Sequence, residues 1–316
     1  MIKTAHLSFD RRKGYRHGLI LILVVGVAIY LIVPQLAGLD GSWSALRHAD
    51  RLWAGLAVGG LFLTYLLAAG IYLSLGMKRL SYGRTVLLQM ASMFAGRLLP
   101  AGVGSLGINY LYLRRQQHSA AQAGAVVAAN NTLGFVGNVL LVTALLLATS
   151  ASLPSWQLRR FGWWMALAAA ILLIGLVSAR HTRLVRRLSA GIRSLGRALA
   201  IYGRRPRRLL LALACSIALT ATYALILYAS SRAVGPQLPF GAAAIVMTIG
   251  VAGATVTPTP GGIGGAEAAL AAALALYHIS ATDAVAIAVL YRVVTYWLGL
   301  FLGGLALLVA ERRRYI

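Results

Sequence analysis

The chain has 316 residues, 59% of them hydrophobic and 11% charged, with a mean hydropathy of +0.78. Soluble domains carry roughly 25% charged residues. The composition therefore excludes a soluble globular enzyme and points to an all-α polytopic membrane protein, whose apolar runs of about 20 residues are long enough to span. The formal charge is +24, from 30 Lys+Arg against 6 Asp+Glu. In a soluble protein that would suggest nucleic acid. Here the basic residues sit mainly in short loops, so no nucleic-acid partner is expected, and orientation and anionic lipid head groups account for them.

Residues 1–18 are polar and basic, with Lys3, Arg11, Arg12, Lys13 and Arg16. A first span follows at about 19–36. Its apolar run reaches Pro34 without a small-x-small cleavage site, so it reads as a retained anchor. A polar loop, 37–51, leads to a second span at 52–75 and a basic turn with Lys78, Arg79 and Arg84. Between 86 and 113 the pattern changes. Two apolar halves, each too short to cross, meet at Pro100-Ala101-Gly102-Val103-Gly104-Ser105-Leu106-Gly107. Basic residues flank both ends. This spacing predicts a helical hairpin that enters and leaves by one membrane face. Irregular backbone is tolerated at such depth only where protein or a wet cavity surrounds it.

A third span is expected at 121–148, with Asn130, Asn131 and Asn138 inside it, and a fourth at 161–178. Residues 180–208 are strongly basic, and Leu184, Leu188, Ile192, Leu195, Leu199 and Tyr202 recur at steps of three or four. That predicts an amphipathic helix with a basic face on an anionic leaflet, or a solvated linker helix packed on the protein. A fifth span at 209–231 precedes a second hairpin, 240–277. Its tip is Pro258-Thr259-Pro260-Gly261-Gly262-Ile263-Gly264-Gly265-Ala266-Glu267. The last span is expected at 284–309, before a basic tail, 310–316. One membrane domain, 19–309, thus holds a first half, 52–148, and a second half, 209–309, joined through 180–208.

Six crossings and two re-entrant hairpins, with both termini inside, place 78–84, 114–118, 180–208 and the tail on the cytoplasmic side, as the positive-inside rule requires. If either hairpin were a full crossing, the basic 180–208 segment or the tail would be misplaced. The two hairpins also resemble each other. Pro100-Ala-Gly-Val-Gly-Ser-Leu aligns with Pro260-Gly-Gly-Ile-Gly-Gly-Ala, and His118-Ser119 with His278-Ile279-Ser280. An inverted repeat is expected, a layout in which transporter sites lie near the midplane at broken helices.

Three charged residues fall well inside apolar stretches: Arg97, Glu267 and Arg292. A carboxylate and a guanidinium in hydrocarbon should pair or face water. Glu267 and Arg292 are expected to meet across the second hairpin, with Arg97 arriving from the first half. Two arginines beside glycine-rich helix starts, built on Gly102 and Gly104 in one tip and Gly261, Gly262, Gly264 and Gly265 in the other, favour an anion such as a phosphate. The alternative is that the Glu–Arg pair only locks the hairpin to the last span. Asn109 is a candidate to line the path, and Tyr291, Tyr296 and Trp297, flanking Arg292, are candidates to shape a lipid groove.

Cys215 is the one cysteine and lies in an apolar segment, which leaves no disulfide framework. There is no metal-ligand spacing, Walker loop or nucleophile triad, so no cofactor, metal or enzymatic activity is expected. Gly102-x-Gly104-x-x-Gly107 spells a dinucleotide-like pattern, but no strand precedes it.

The stretch Thr257-Pro-Thr-Pro-Gly-Gly-Ile-Gly-Gly-Ala-Glu267, with Leu290-Tyr291-Arg292 and the earlier Leu99-Pro100-Ala-Gly-Val-Gly104, resembles the transmembrane region of lysylphosphatidylglycerol synthase, also called the flippase-like domain family. The resemblance covers roughly 15–312. Family members often carry a basic or acidic residue beside the first glycine turn, where this chain has Ser105 and Asn109. In two-domain members a soluble aminoacyl-transferase follows the membrane part, which is implicated in moving the modified lipid between leaflets. The chain stops at Ile316, so the resemblance implies a stand-alone translocator in a bacterial-type inner membrane. Its cargo would be an anionic or polyprenyl-linked lipid, moved passively or with an ion. A non-transporting scaffold, recruiting a lipid- or glycan-modifying enzyme through 180–208, is the alternative.

Overall fold

The computed structural model describes residues 40–98, 103–149, 206–257, 259–313 and 315–316. The first and fourth expected spans, the basic segment up to residue 205, Pro100 and Gly102 lie outside them.

Every described element is helical: α1 (Asp40–Arg47), α2 (Arg51–Leu75), α3 (Tyr82–Leu98), α4 (Val103–Arg115), α5 (Ala120–Thr149), α6 (Pro206–Val234), α7 (Phe240–Val256), a single 3-10 turn (Pro260–Gly262), α8 (Gly265–Ala275), α9 (Ala281–Arg292), a π-helical turn (Val293–Leu298) and α10 (Gly299–Arg312). Four described helices are long and apolar enough to cross a membrane: α2, α5, α6 and the continuous rod formed by α9, the π turn and α10. They fall where the second, third, fifth and last spans are expected. Large apolar side chains such as Phe62, Phe135, Leu140, Leu211 and Phe301 stay exposed along them. In water such a surface would be a liability; on membrane-spanning helices it meets lipid tails. The protein is a multi-pass membrane protein.

One expectation fails. Asp40–Arg47, read as part of a polar loop, is an eight-residue helix. So short a helix is marginal alone. It packs against α9, a tertiary contact that local composition does not announce.

Helix starts follow local chemistry. The Asp50 Oδ1 accepts from the amides of Leu52 and Trp53, at 2.7 and 3.3 Å, and so caps α2. Ahead of α5, the Ser119 Oγ accepts from the Gln122 amide at 3.2 Å while the Gln122 Oε1 accepts from the Ser119 amide at 2.9 Å, a reciprocal capping box. Ahead of α9, the Ser280 Oγ accepts from the Asp283 amide at 3.2 Å. The residue two before each serine, Gln117 and His278, has positive φ, 62° and 60°. Both halves thus turn into their long helix by the same device.

At the centre α2 and α6 run antiparallel. The Asp50 amide donates to the Ala233 carbonyl at one end, at 2.8 Å. Gly60 faces Ile226 in the middle, and further along a Cβ on Gly70 would lie 3.2 Å from the Cys215 Sγ. Small residues let the backbones approach, and Cys215 serves there as a packed side chain.

Each half then folds a helical hairpin. In the first, Thr85 meets Tyr112 at 2.9 Å. Gln89 donates to Asn109 at 2.8 Å, and Gly104 abuts the Ala95 carbonyl. One number rises as its partner falls, so α3 and α4 are antiparallel. In the second, Gly250 abuts Leu270, Gly253 abuts Ala269, and Gly262 abuts Ala254, so α7 and α8 are antiparallel too. At 1.5 Å per residue none of these four helices exceeds about 26 Å, short of a hydrocarbon core of about 30 Å. The order long helix, hairpin, long helix appears twice, and the leading helices of the two units oppose each other in direction.

Candidate functional site

The second hairpin tip turns where only glycine fits. Gly261, Gly262 and Gly264 have φ of 62°, 66° and 88°, in the left-handed region. A Cβ on Gly261 would enter the ring of Tyr296. The turn delivers Glu267 to the first turn of α8. There its Oε2 accepts from the Gly264 amide at 2.8 Å, and its Oε1 accepts from the Arg292 Nε at 2.7 Å. The second guanidinium arm of Arg292 donates to the Gly261 carbonyl at 3.0 Å. Both side chains are largely buried, 11% exposed for Arg292 and 17% for Glu267. The expected pair therefore forms. Part of the expected anion-binding helix start does not remain open, because Glu267 itself occupies the Gly264 amide.

Tyr296, one turn beyond Arg292, joins the two halves. The Arg292 guanidinium lies 4.3 Å from its ring centroid, and the Arg97 guanidinium, arriving from α3, lies 5.5 Å from it. Its hydroxyl donates to the Pro260 carbonyl at 3.3 Å. Arg97 also donates through Nη1 to the Tyr296 carbonyl at 3.3 Å and through Nη2 to the Thr295 carbonyl. Those carbonyls lie in the π turn, where the hydrogen-bond register slips from i+4 to i+5, and such turns recur at functional sites. The guanidinium of Arg97 donates into this slipped turn, where the Tyr296 carbonyl also accepts from the Gly299 amide. Gly299 leaves room for it, since a Cβ there would collide with Nη1. Among the described residues the Glu267–Arg292 contact is the one ion pair, so Arg97 has no carboxylate partner there and the cluster keeps a net positive charge.

Beside the cluster lies a cavity of about 260 Å³, lined among others by Arg97, Arg292, Tyr291, Thr295, Asn138 and Tyr223. The structure thus brings Arg97, Glu267, Arg292, Tyr291 and the Gly261–Gly265 turn into one neighbourhood. Gly104 instead sits in the hairpin contact with Ala95. Asn109 is elsewhere too. Its Nδ2 donates to the Ser92 Oγ at 2.6 Å and to the Ser105 carbonyl at 2.9 Å, within the first hairpin, beside a second cavity. Tyr296, expected only to shape a lipid groove, instead meets both arginines. Its signal was an aromatic four residues after a buried arginine, one turn away on the same helix face.

The family model for the lysylphosphatidylglycerol synthase TM region matches residues 19–303. The chain belongs to that family. No curated protein matches the chain. In this family member the matched region contains both hairpins, the ion pair and the π turn.

Proposed function

We propose that the protein translocates a lipid with a phosphate-bearing head group between the leaflets of a bacterial-type inner membrane, without chemistry on the lipid. The observation that carries this reading is the convergence of Arg97 and Arg292 on Tyr296, beside a cavity where two broken-helix units meet. Ionisable groups at membrane depth are costly and mark transport paths. A pair of arginines balanced by one carboxylate favours an anion. In this reading α3–α4 and α7–α8 are re-entrant hairpins entering from opposite faces. The segments at 19–36 and 161–178 complete six crossings, and both termini lie in the cytoplasm. The family supports a membrane lipid-related role, and opposed repeats with broken helices are a known way to build alternating access. Arg97 and Arg292 hold the phosphate, Glu267 holds Arg292 in place or exchanges a proton, and the acyl or polyprenyl tails stay in the bilayer. Movement is passive or ion-coupled.

The test is translocation of fluorescent anionic and polyprenyl-phosphate lipids in proteoliposomes, comparing wild type with Arg97→Gln and Arg292→Gln at matched reconstitution. Folded variants should lose most of the rate. Absence of translocation by wild type across both lipid classes would overturn the reading.

A further inference from the structure

A second cavity, of about 180 Å³, lies inside the first repeat. It is lined from α2, α3, α4 and α5, with Leu219 of α6 closing one side. The larger cavity draws in the corresponding way on α6, α7, α8 and α9. The chemistry of the two differs. None of the side chains lining the second cavity is charged; its polar wall comes from Tyr65, Gln89, Ser92, Asn109, Asn130 and Asn131. Gln89, Ser92 and Asn109 bond one another. Asn130 and Asn131 have no hydrogen-bond partner among the described residues. Tyr65 is 1% exposed; its hydroxyl lies beside the Arg97 guanidinium, yet it is the one buried side-chain polar atom that makes no well-formed hydrogen bond among the described residues. Burying a hydroxyl unpaired costs about 1–3 kcal/mol, so an orphan in a cavity wall points to something absent that completes it.

The two cavities are neighbours. Leu219 lines both. Met93 lines the second, and its sulfur lies 3.8 Å from the Arg97 Nη2 and 4.0 Å from the Tyr223 hydroxyl, two groups of the first cavity's wall. Met93 thus lies between the Arg97 guanidinium and the neutral pocket, and the Tyr65 hydroxyl of the pocket wall reaches the same guanidinium. A cavity of roughly 150 Å³ accepts one six-membered ring, so this one has room for a single ring.

We propose that the second cavity is a head-group subsite for one neutral, hydroxyl-bearing ring, attached to the phosphate held at Arg97 and Arg292. Amide and phenol groups match hydroxyls, which both donate and accept. A charged head group would find no counter-ion in the lining. This inference rests on the phosphate reading of the larger cavity and narrows its substrate.

The test uses purified protein in a neutral detergent and two short-chain lipids: phosphatidylinositol, which carries a neutral ring of hydroxyls, and phosphatidic acid, which carries the phosphate alone. Wild type should bind phosphatidylinositol about ten-fold more tightly, the worth of one or two hydrogen bonds. In Asn131→Leu that advantage should collapse while phosphatidic acid binding stays unchanged; in Tyr65→Phe, whose lost hydroxyl lies beside Arg97, it should collapse with a smaller change in phosphatidic acid binding. Tyr65→Phe removes only the orphan oxygen, so the variant should fold at least as well as wild type. Equal wild-type affinity for the two lipids would overturn the subsite and leave the anion site standing. A variant that loses both lipids alike would also overturn it. Binding of phosphatidylinositol without any of phosphatidic acid would overturn the phosphate reading instead, and binding of neither would overturn both.

Discussion

Arg97 and Tyr296 stand 199 residues apart in the chain and touch twice: the guanidinium donates to the Tyr296 carbonyl at 3.3 Å and lies 5.5 Å from the centre of its ring. One residue thus ties the first hairpin to the last membrane helix. Tyr296 passes the tie on, through Arg292 and the Pro260 carbonyl, to the tip of the second hairpin. Movement of either hairpin must strain this point, so substitutions there separate a lock from a transport site.

The ion pair gives the first prediction. Glu267→Gln leaves Arg292 largely buried and unpaired, and should cost about 3 kcal/mol of stability, read as a lower melting temperature in detergent. The double variant Glu267→Gln, Arg292→Gln removes both charges and should recover most of that loss. Translocation should stay lost in the double variant if Arg292 holds the phosphate. Recovery of both stability and translocation would reduce the pair to a structural lock.

A second prediction concerns the ring. Tyr296→Leu removes the surface shared by both arginines and should cost about 2 kcal/mol, the scale of a desolvated cation–π contact, along with most translocation. Tyr296→Phe keeps the ring and loses only the bond to the Pro260 carbonyl, so it should retain far more activity than the leucine variant. Equal loss in the two would show that the hydroxyl matters and the ring does not.

Much of this arrangement was legible in the sequence because membranes enforce simple rules. Long apolar runs had to span. Charges as isolated as Glu267 and Arg292 had to find each other, and prolines with glycines had to turn. The π turn was not legible. A slipped hydrogen-bond register across Val293–Leu298 leaves no compositional trace, and its contact with Arg97 depends on a helix 199 positions away. The setting of Asn109 was not legible for a related reason. It shares a glycine-rich hairpin with the expected site, but its amide is satisfied by Ser92 and Ser105 within its own repeat. Only antiparallel packing of α3 on α4 shows that.

His118 carries a prediction about pH. It is 1% exposed, sits between α4 and α5, donates through Nδ1 to the Leu113 carbonyl at 3.1 Å and accepts at Nε2 from the Lys78 amide at 3.3 Å. A proton on Nε2 would remove that acceptor. Burial pushes its pKa below the ordinary 6.5. The unfolded chain then binds the proton more readily than the folded one, so His118's stabilising contribution is complete above about pH 6.5 and drains away as the pH falls toward its folded value. Melting temperature recorded from pH 8 to 5 should decline on the acid side in wild type, and less steeply in His118→Gln. Parallel curves would rule His118 out as the cause.

Gly299 allows the position of Arg97 to be tested without altering any charge. A Cβ there would meet the Arg97 guanidinium, with Cζ at 3.1 Å and Nη2 at 3.2 Å. The end of a long flexible side chain yields easily, and alanine is the better helix former by about 1 kcal/mol. Gly299→Ala should therefore fold as well as wild type while pushing Arg97 off the carbonyls of Thr295 and Tyr296. Gly59→Ala, on α2 with nothing within 4 Å of its Cβ position, supplies the control for a helix glycine without a neighbour. The expected outcome is about a ten-fold loss of phosphatidic acid affinity in the first variant, equivalent to about 1.4 kcal/mol, and none in the second. Wild-type affinity in a well-folded Gly299→Ala protein would mean that the anion does not depend on where Arg97 is held. The site would then shrink to Arg292 and the hairpin tip.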